Sequence, residues 1–470
     1  NGLGSNSGNL DIDLIKEARL HLKYKIPVEA FSLVLKTGGQ VRDHTVEFER
    51  RGRNWSYIGT SALPADPSIL LWDKVKTGRN IPTWEGAQFI QNGQPTNPAL
   101  WQLDRYAQEQ SRLQNSHKTT EVITGSYFMF QGRIGRTGFL SGLRREVTET
   151  DAVARIRSRV LTTTAQRAAD PVGSARLDYG TAFENHGEYG QNFPSVHLWH
   201  DLTPNLKLRG AWTTSFGRPS LANALPAFSF SETNQTVSLG NPALGPQRAK
   251  NWDFSMEFYF EPSSSFSVGW FHKTINDFIL SGREIGIVPD GTDNGFNGEY
   301  SGYRILSTLN AGTAIAQGLE LSYLQQFRFM PGLLKTLRFS ANFTMINAHG
   351  DYGGTTYLKN SQINGFIPRT GNASISWDYR KFGVSMSYNY TSESIRTAYN
   401  VAQPSRNQYL KARELVNLNL RYQLPRNLTL TFGVANLFNE PQIYHRGFAD
   451  RLDTFLIQGT TMTAGLEGRF

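Results

Sequence analysis

From residue 14 onward, apolar and polar side chains alternate along the chain in short segments. In 14–26, Leu20, Leu22, Tyr24 and Ile26 fall on one side and Arg19, His21, Lys23 and Lys25 on the other. Near the far end, Leu428, Leu430, Phe432 and Val434 alternate with Thr429, Thr431, Gly433 and Ala435. Met462, Ala464, Leu466, Gly468 and Phe470 likewise alternate with Thr461, Thr463, Gly465, Glu467 and Arg469. Successive side chains of a strand point to opposite faces, so each segment makes a strand with one apolar and one small or polar face. Similar segments at 29–37, 40–52, 117–131, 137–150, 191–201, 205–216, 248–261, 264–281, 303–327, 335–348, 362–379, 381–395, 410–424, 427–440 and 453–470 bring the expected total to roughly sixteen strands. Each is about as long as a tilted strand needs to cross a bilayer.

The connections differ systematically in length. Thr203-Pro204-Asn205, Glu261-Pro262-Ser263, Tyr379-Arg380-Lys381 and Leu424-Pro425-Arg426-Asn427 fit tight hairpins. Long polar stretches fall between them, at 53–116, 151–190, 217–247, 282–302, 349–361 and 396–409. Short turns at one rim and long loops at the other belong to an all-β transmembrane antiparallel β-barrel of a bacterial outer membrane. A soluble sandwich or propeller gives no reason to sort loop lengths by parity. Trp199, Trp212, Trp252, Trp270, Trp377, Tyr379, Tyr388 and Tyr390 sit near strand ends, where girdles of Trp and Tyr meet the two lipid interfaces.

Composition changes the picture little. The 470 residues are 39% hydrophobic and 12% aromatic, with 44 Gly and no Cys; mean hydropathy is −0.42. No stretch approaches the ~20 apolar residues of a membrane helix, but a closed barrel satisfies its backbone in lipid without one. The formal charge of +9 suggests nucleic acid at first sight. The basic residues are scattered along strands, however, with no recognition helix or basic tail, so a polar lumen and anionic headgroups account for them better. No H-E-x-x-H, G-x-S-x-G or Walker-type loop occurs, so an enzyme is not expected. Glu257 and Glu320 are expected to face the lumen and pair with arginines there.

Several phrases resemble the C-terminal region of TonB-dependent receptors, the energised transporters of Gram-negative outer membranes. They are Trp212-Thr213-Thr214-Ser215-Phe216-Gly217-Arg218-Pro219-Ser220, Leu239-Gly240-Asn241-Pro242-Ala243-Leu244-Gly245-Pro246-Gln247, Phe271-His272-Lys273-Thr274-Ile275-Asn276-Asp277-Phe278-Ile279, Asn310-Ala311-Gly312 with Gln317-Gly318-Leu319-Glu320-Leu321, and Val434-Ala435-Asn436-Leu437-Phe438-Asn439. With the terminal Phe470 they follow the family order over 205–470. The resemblance implies a plugged barrel of about 22 strands, uptake of a scarce solute (siderophore, vitamin or oligosaccharide), TonB as energy-coupling partner, and Phe470 as the residue that the barrel-assembly machinery reads. Outer-membrane lipids and lipopolysaccharide are the expected surroundings. The alternative is a barrel of this family with a surface binding, adhesion or assembly role and no transport. The first strands and the plug are expected in sequence before Asn1 or on another chain; a closed barrel with an empty lumen made from these residues alone would overturn that. Read as physical chemistry, the Gly, Asn and Pro of these phrases are turn formers, and Gly318 marks a bend or a close backbone approach.

Solute choice is expected to lie in the long loops. Trp55, Tyr57, Trp72, Trp84, Trp101 and Tyr106 in 53–116 are candidate stacking residues, which favours a carbohydrate over an iron chelate; the same rings would serve equally in a small apolar cluster capping the barrel. Asp290, Asp293, Asn294 and Glu299 form a run of hard oxygen ligands that opens like a calcium loop. Ser301 stands where an EF-hand places glutamate, so a solvated Gly/Asp/Asn turn is the competing account.

Overall fold

The structure, a computed structural model, describes the chain apart from residues 1–2, 7, 29–30, 59–69, 73–80, 83–97, 159, 226–227, 242, 261–262, 297, 311, 351–364, 398–404, 406 and 469–470. Its framework is one antiparallel sheet of fifteen strands, each hydrogen-bonded to its neighbours in chain order. The strands are Asn9–Ile26, Ser32–Arg50, His117–Ile134, Thr137–Ile156, Thr181–Thr203, Leu206–Gly217, Gln247–Phe260, Ser264–Asn276, Thr313–Gln326, Arg338–Gly350, Arg369–Tyr379, Phe382–Thr391, Arg413–Gln423, Leu428–Ala435 and Thr461–Gly468. Among the described residues the first and last strands do not pair, so this ladder has two edges.

Fifteen replaces sixteen because 29–37 and 40–52 are a single strand. Gly38 and Gly39 interrupt the alternation in sequence but not the extended backbone. A Cβ at Gly38 would collide with the Leu20 carbonyl and lie 2.8 Å from the Tyr127 ring, so glycine there admits its neighbours. Other expected strands divide between the wall and small loop sheets, 264–281 after Asn276 and 381–395 after Thr391 among them. In 303–327, Arg304–Asn310 joins a small loop sheet with Phe228–Ser231, Thr236–Leu239 and Ile279–Ile287, and only Thr313–Gln326 enters the wall. In 453–470, Leu452–Leu456 pairs into a second loop sheet with Ser394–Thr397, Gln408–Leu410 and Gln442–Arg446, which creates a long connection at 436–460. The expected loop 151–190 is shorter than read: 151–156 and 181–190 are strand, and 157–180 leaves the ladder. The parity of loop lengths holds throughout, with short turns at 27–31, 135–136, 204–205, 261–263, 327–337, 380–381 and 424–427 and long connections between them.

The wall is apolar outside and polar inside. Along Gln247–Phe260, Trp252, Phe254, Met256 and Phe258 are 39–50% exposed, whereas Asn251, Asp253, Ser255 and Glu257 on the other face are better shielded. In water such exposure would cost free energy in proportion to apolar area; in lipid the same faces are solvated. No described helix is long and apolar enough to cross a membrane. Trp212 and Trp252 meet on the outer face at 6.3 Å, and Trp377 stacks on Tyr379 at 5.8 Å near the short-turn rim. Trp199 departs from the expected girdle. It turns inward across Gly138, whose missing Cβ leaves room for the indole, and borders an inner-wall cavity with Arg209, Asp253 and Glu320.

Wall height is uneven. The first five strands have 18 to 23 residues and the remaining ten have 8 to 14. At about 3.3 Å per residue, the 23-residue Thr181–Thr203 runs well past the lipid. Gly318 shows how closely the wall is built: a Cβ there would meet the Met345 carbonyl and lie 2.9 Å from the Phe271 ring. Gly318→Val is expected to destabilise this pairing by about 1–3 kcal/mol. On unboiled gels the folded, heat-modifiable band should weaken for Val more than for Ala; equal bands would contradict the close approach.

Candidate functional site

Four strands and one loop residue build a cluster on the inner wall at the level where the short strands end. Inward positions of His117–Ile134 and Thr137–Ile156 supply Glu121, Arg144, Glu146 and Thr148; Tyr189 and Phe193 come from Thr181–Thr203, Phe216 from Leu206–Gly217, and Arg218 follows it directly. Gly125 leaves space for the Arg144 guanidinium. That group donates to Glu146 from Nε at 3.0 Å and from Nη2 at 2.7 Å. Arg218 ion-pairs with the other oxygen of Glu146, approaches Glu121 at 3.9 Å and donates to the Thr148 hydroxyl at 3.3 Å. Its guanidinium also lies 4.7 Å over the Phe216 ring, which stacks on Phe193 at 4.9 Å and meets Tyr189 edge-on. Arg144 and, from the neighbouring strand Ser32–Arg50, Arg42 both act electrostatically on Arg218.

Lower on the wall the charges pair with one another. Arg209 donates to Glu257 at 2.7 Å, as expected for that carboxylate, while Glu320 lines the same cavity, of about 310 Å³. At the short-turn end, Asp378 sits between Arg338 and Arg421, the latter at 2.7 Å.

The aromatic residues expected to bind solute are placed differently. Trp55 and Tyr57 lie on Arg53–Tyr57, which pairs with Trp101–Leu103; Trp101 is buried at 6% exposure. Trp72 lies on the short strand Leu70–Trp72, and Trp84 falls outside the described residues. Tyr106 opens the helix Arg105–Asn115, capped by Asp104. Its hydroxyl donates to Asp178 at 2.6 Å, and Arg167 covers its ring at 4.5 Å. Trp101 and Tyr106 therefore pack into the loop assembly rather than offering free ring faces. Neither Asp178 nor the inner-wall cluster was anticipated from sequence, although the phrase ending in Phe216-Gly217-Arg218-Pro219 contains two members of that cluster.

Two carboxylates clamp this assembly. Asp178, on the helix Pro171–Tyr179, is fully buried and accepts from Tyr106, from the Thr162 amide at 2.6 Å and from its hydroxyl at 2.8 Å, with Arg167 at 3.1 Å. Burial pushes its carboxyl up, but the Tyr106 and Thr162 hydrogen bonds and the Arg167 charge hold it below the ordinary range. Glu109 accepts from Arg112 at 2.8 and 2.9 Å and from Arg176 at 3.0 Å. The Arg112 hydrogen bond, opposed by burial and helped by Arg176, brings it down to about 2 from 4.5. A carboxyl depressed in the folded state contributes stability above its unfolded value and loses it as pH falls through its folded value. Protease resistance of the loop assembly should thus hold down to about pH 4.5 and decline between there and about pH 2. Resistance lost already at pH 6, or kept below pH 2, would contradict the clamp.

The oxygen-rich loop closes largely on itself. Asn294 accepts from the amides of Phe296 and Gly298 at 2.9 Å and donates to the Glu299 carbonyl; Asp290 accepts from Ser301, and Glu299 reaches Arg157 at 3.0 Å. Among the described residues no group of three or more His, Cys, Asp or Glu is arranged to hold a metal. Phe470 lies outside the described residues. The turn-forming asparagines behave as architecture. Asn310 bonds both main-chain groups of Gly245, at 2.8 and 2.9 Å, and Asn241 donates to the Thr308 carbonyl at 2.9 Å. Asn436, at φ 53°, accepts from the Glu440 amide at 2.7 Å and donates to its carbonyl at 3.2 Å.

The family profile described as TonB dependent receptor-like, beta-barrel matches residues 8–437. A ferric enterobactin receptor of Pseudomonas aeruginosa is 23% identical over 299 residues, 60% of this chain and 38% of that protein. Among solved structures, the unliganded ferric citrate transporter FecA superposes with a TM-score of 0.59 at 13% identity, covering 98% of this chain and 55% of that one. The siderophore receptor PiuA of Acinetobacter baumannii gives 0.58 at 11%, covering 97% and 56%. The chain thus spans about 38% to 56% of the length of these relatives. Family and architecture together place it in the outer membrane of a Gram-negative bacterium. With the profile covering nearly the whole ladder of alternating strands, the chain belongs to the TonB-dependent receptor β-barrel family.

Proposed function

We propose that this barrel takes up a scarce solute across the outer membrane with energy delivered through TonB, and that the solute is a metal chelate built from aromatic rings bearing anionic oxygens. The observation that carries the solute class is the inner-wall cluster, with Arg218 over Phe216, which stacks on Phe193, and the Arg144 and Arg218 guanidiniums beside Glu146 and Glu121. The relative that is a ferric enterobactin receptor supports the same class. The burial of Trp101 and the engagement of Tyr106 weaken the carbohydrate reading that the loop aromatics favoured. The carboxylates of the cluster are tied to arginines, an arrangement that suits holding a ligand more than acid–base work.

Growth of a deletion strain under iron limitation tests the reading. Catecholate and other aryl-oxygen ferric chelates should support growth of the parent and not of the deletion strain, and the purified protein should bind them. Equal growth on every chelate, with uptake of an oligosaccharide lost instead, would reject the solute class; no change in uptake of any solute would favour a surface role.

A further inference from the structure

The step in wall height exposes a strand edge. Thr181–Thr203 pairs with Thr137–Ile156 from Thr181 to His200, but with Leu206–Gly217 only from Ser195 down to Thr203. The Pro194 carbonyl accepts from the Thr214 hydroxyl at 3.0 Å, so it points to the Leu206–Gly217 side. In an unbroken antiparallel strand alternate residues direct both main-chain groups to the same neighbour. Glu184, His186, Glu188, Gly190 and Asn192 therefore aim their amides and carbonyls at the open side. Among the described residues no backbone partner from the 218–246 connection reaches these groups. In their place is a cavity of about 570 Å³ between this edge and the loop segments Pro219–Leu221 and Ala243–Pro246.

The two faces of the edge differ. Outward, Glu188 stands directly opposite Glu149, and His186 opposite Asp151 at 2.8 Å, with Glu184 one rung above. A like-charge pair facing across a ladder is destabilising unless a cation joins it. Inward, Phe183, Gly187 and Tyr189 offer apolar surface and space in the cavity, beside the polar Glu121, Thr150 and Asn185.

We propose that this step is a strand-addition site on the outer side of the barrel for an extended polypeptide segment that alternates basic and apolar residues. Its backbone pairs with 184–192, its basic side chains lie outward beside Glu188, Glu149 and Glu184, and its apolar side chains enter the cavity. Main-chain hydrogen bonds supply affinity in this mode and the alternating side chains supply specificity. The free edge follows from the abrupt end of the short strands rather than from any missing part of the wall.

The test uses the full-length protein in lipid nanodiscs, with octapeptides alternating lysine with valine or glutamate with valine. Pro194 shows that proline is accepted at this parity, so Gly190→Pro removes one open-side amide without touching charge or ladder. The lysine peptide should bind and the glutamate peptide should not, with ¹³C-edited infrared placing the bound peptide in β structure. Gly190→Pro should weaken binding about three- to tenfold, the effect of one hydrogen bond, with the barrel's thermal unfolding unchanged. Glu184→Lys with Glu188→Lys should reverse the preference between peptides. Binding that ignores Gly190→Pro, or a lysine peptide bound without β structure, would reduce the interaction to surface charge and overturn the proposal. Absence of binding by either peptide would overturn it equally.

Discussion

Asp178→Ala is expected to open the 157–180 connection while leaving the wall folded. The carboxylate is fully buried and receives the Tyr106 hydroxyl, both donors of Thr162 and the Arg167 charge. Alanine would leave these donors and a guanidinium without their acceptor in a dry site. Loss of one partner of a buried ion pair costs about 3–5 kcal/mol. The cost falls on the packing of Arg105–Asn115 against Pro171–Tyr179, not on the ladder, because Asp178 takes no part in strand pairing. Hydrogen exchange should rise across 157–180 and 105–115, and trypsin should reach Arg167 and Arg176, while the unboiled protein still migrates as a folded barrel. Asp178→Asn keeps the shape and one acceptor oxygen and should fall between the two. Unchanged exchange in the alanine variant would show that the helices are held by something else.

Arg218→Glu should abolish high-affinity uptake of the chelate class proposed above, with a loss of about 10²-fold or more in binding, since truncating a desolvated charge contact costs about 2–5 kcal/mol and reversal adds repulsion. The substitution sets a third carboxylate beside Glu121 and Glu146 and removes the cationic cover of Phe216. Arg218→Lys separates charge from shape: it retains the charge but cannot hold Glu146, Thr148 and the ring with one planar group. Chelate fluorescence quenching in detergent reads binding apart from energised transport. Full affinity in Arg218→Glu would remove the cluster from the solute path.

The wall was legible because a strand flanked by lipid and water writes its two faces into the sequence, as Leu428–Ala435 does. The upper part of Thr181–Thr203 was read as loop for the converse reason. Above the lipid the outward face carries Glu184, His186 and Glu188 in place of apolar side chains, and Asn185 and Gly187 interrupt the aromatic residues of the inward face, so no continuous apolar stripe marks the strand. Gly38-Gly39 misled in a related way, since a glycine that admits neighbouring groups looks in sequence like one that turns the chain. The inner-wall cluster escaped because Glu121, Glu146, Tyr189 and Arg218 come together only through strand register, each being ordinary in its own segment. The tryptophans of 53–116 drew attention by composition, yet an indole buried at 6%, as Trp101 is, contributes through packing.

The uneven wall gives the mouth two unlike sides. On the side of the five long strands, the ladder from Asn9–Ile26 to Thr181–Thr203 pairs without a register shift. Opposite it, the rim is completed by two small sheets of strands three to nine residues long, with register shifts in both. Short, irregular pairings open at a fraction of the global unfolding energy. On the transport reading proposed above, the strands of these two small sheets are the part of the mouth that yields first to a bulky solute, ahead of the long ladder.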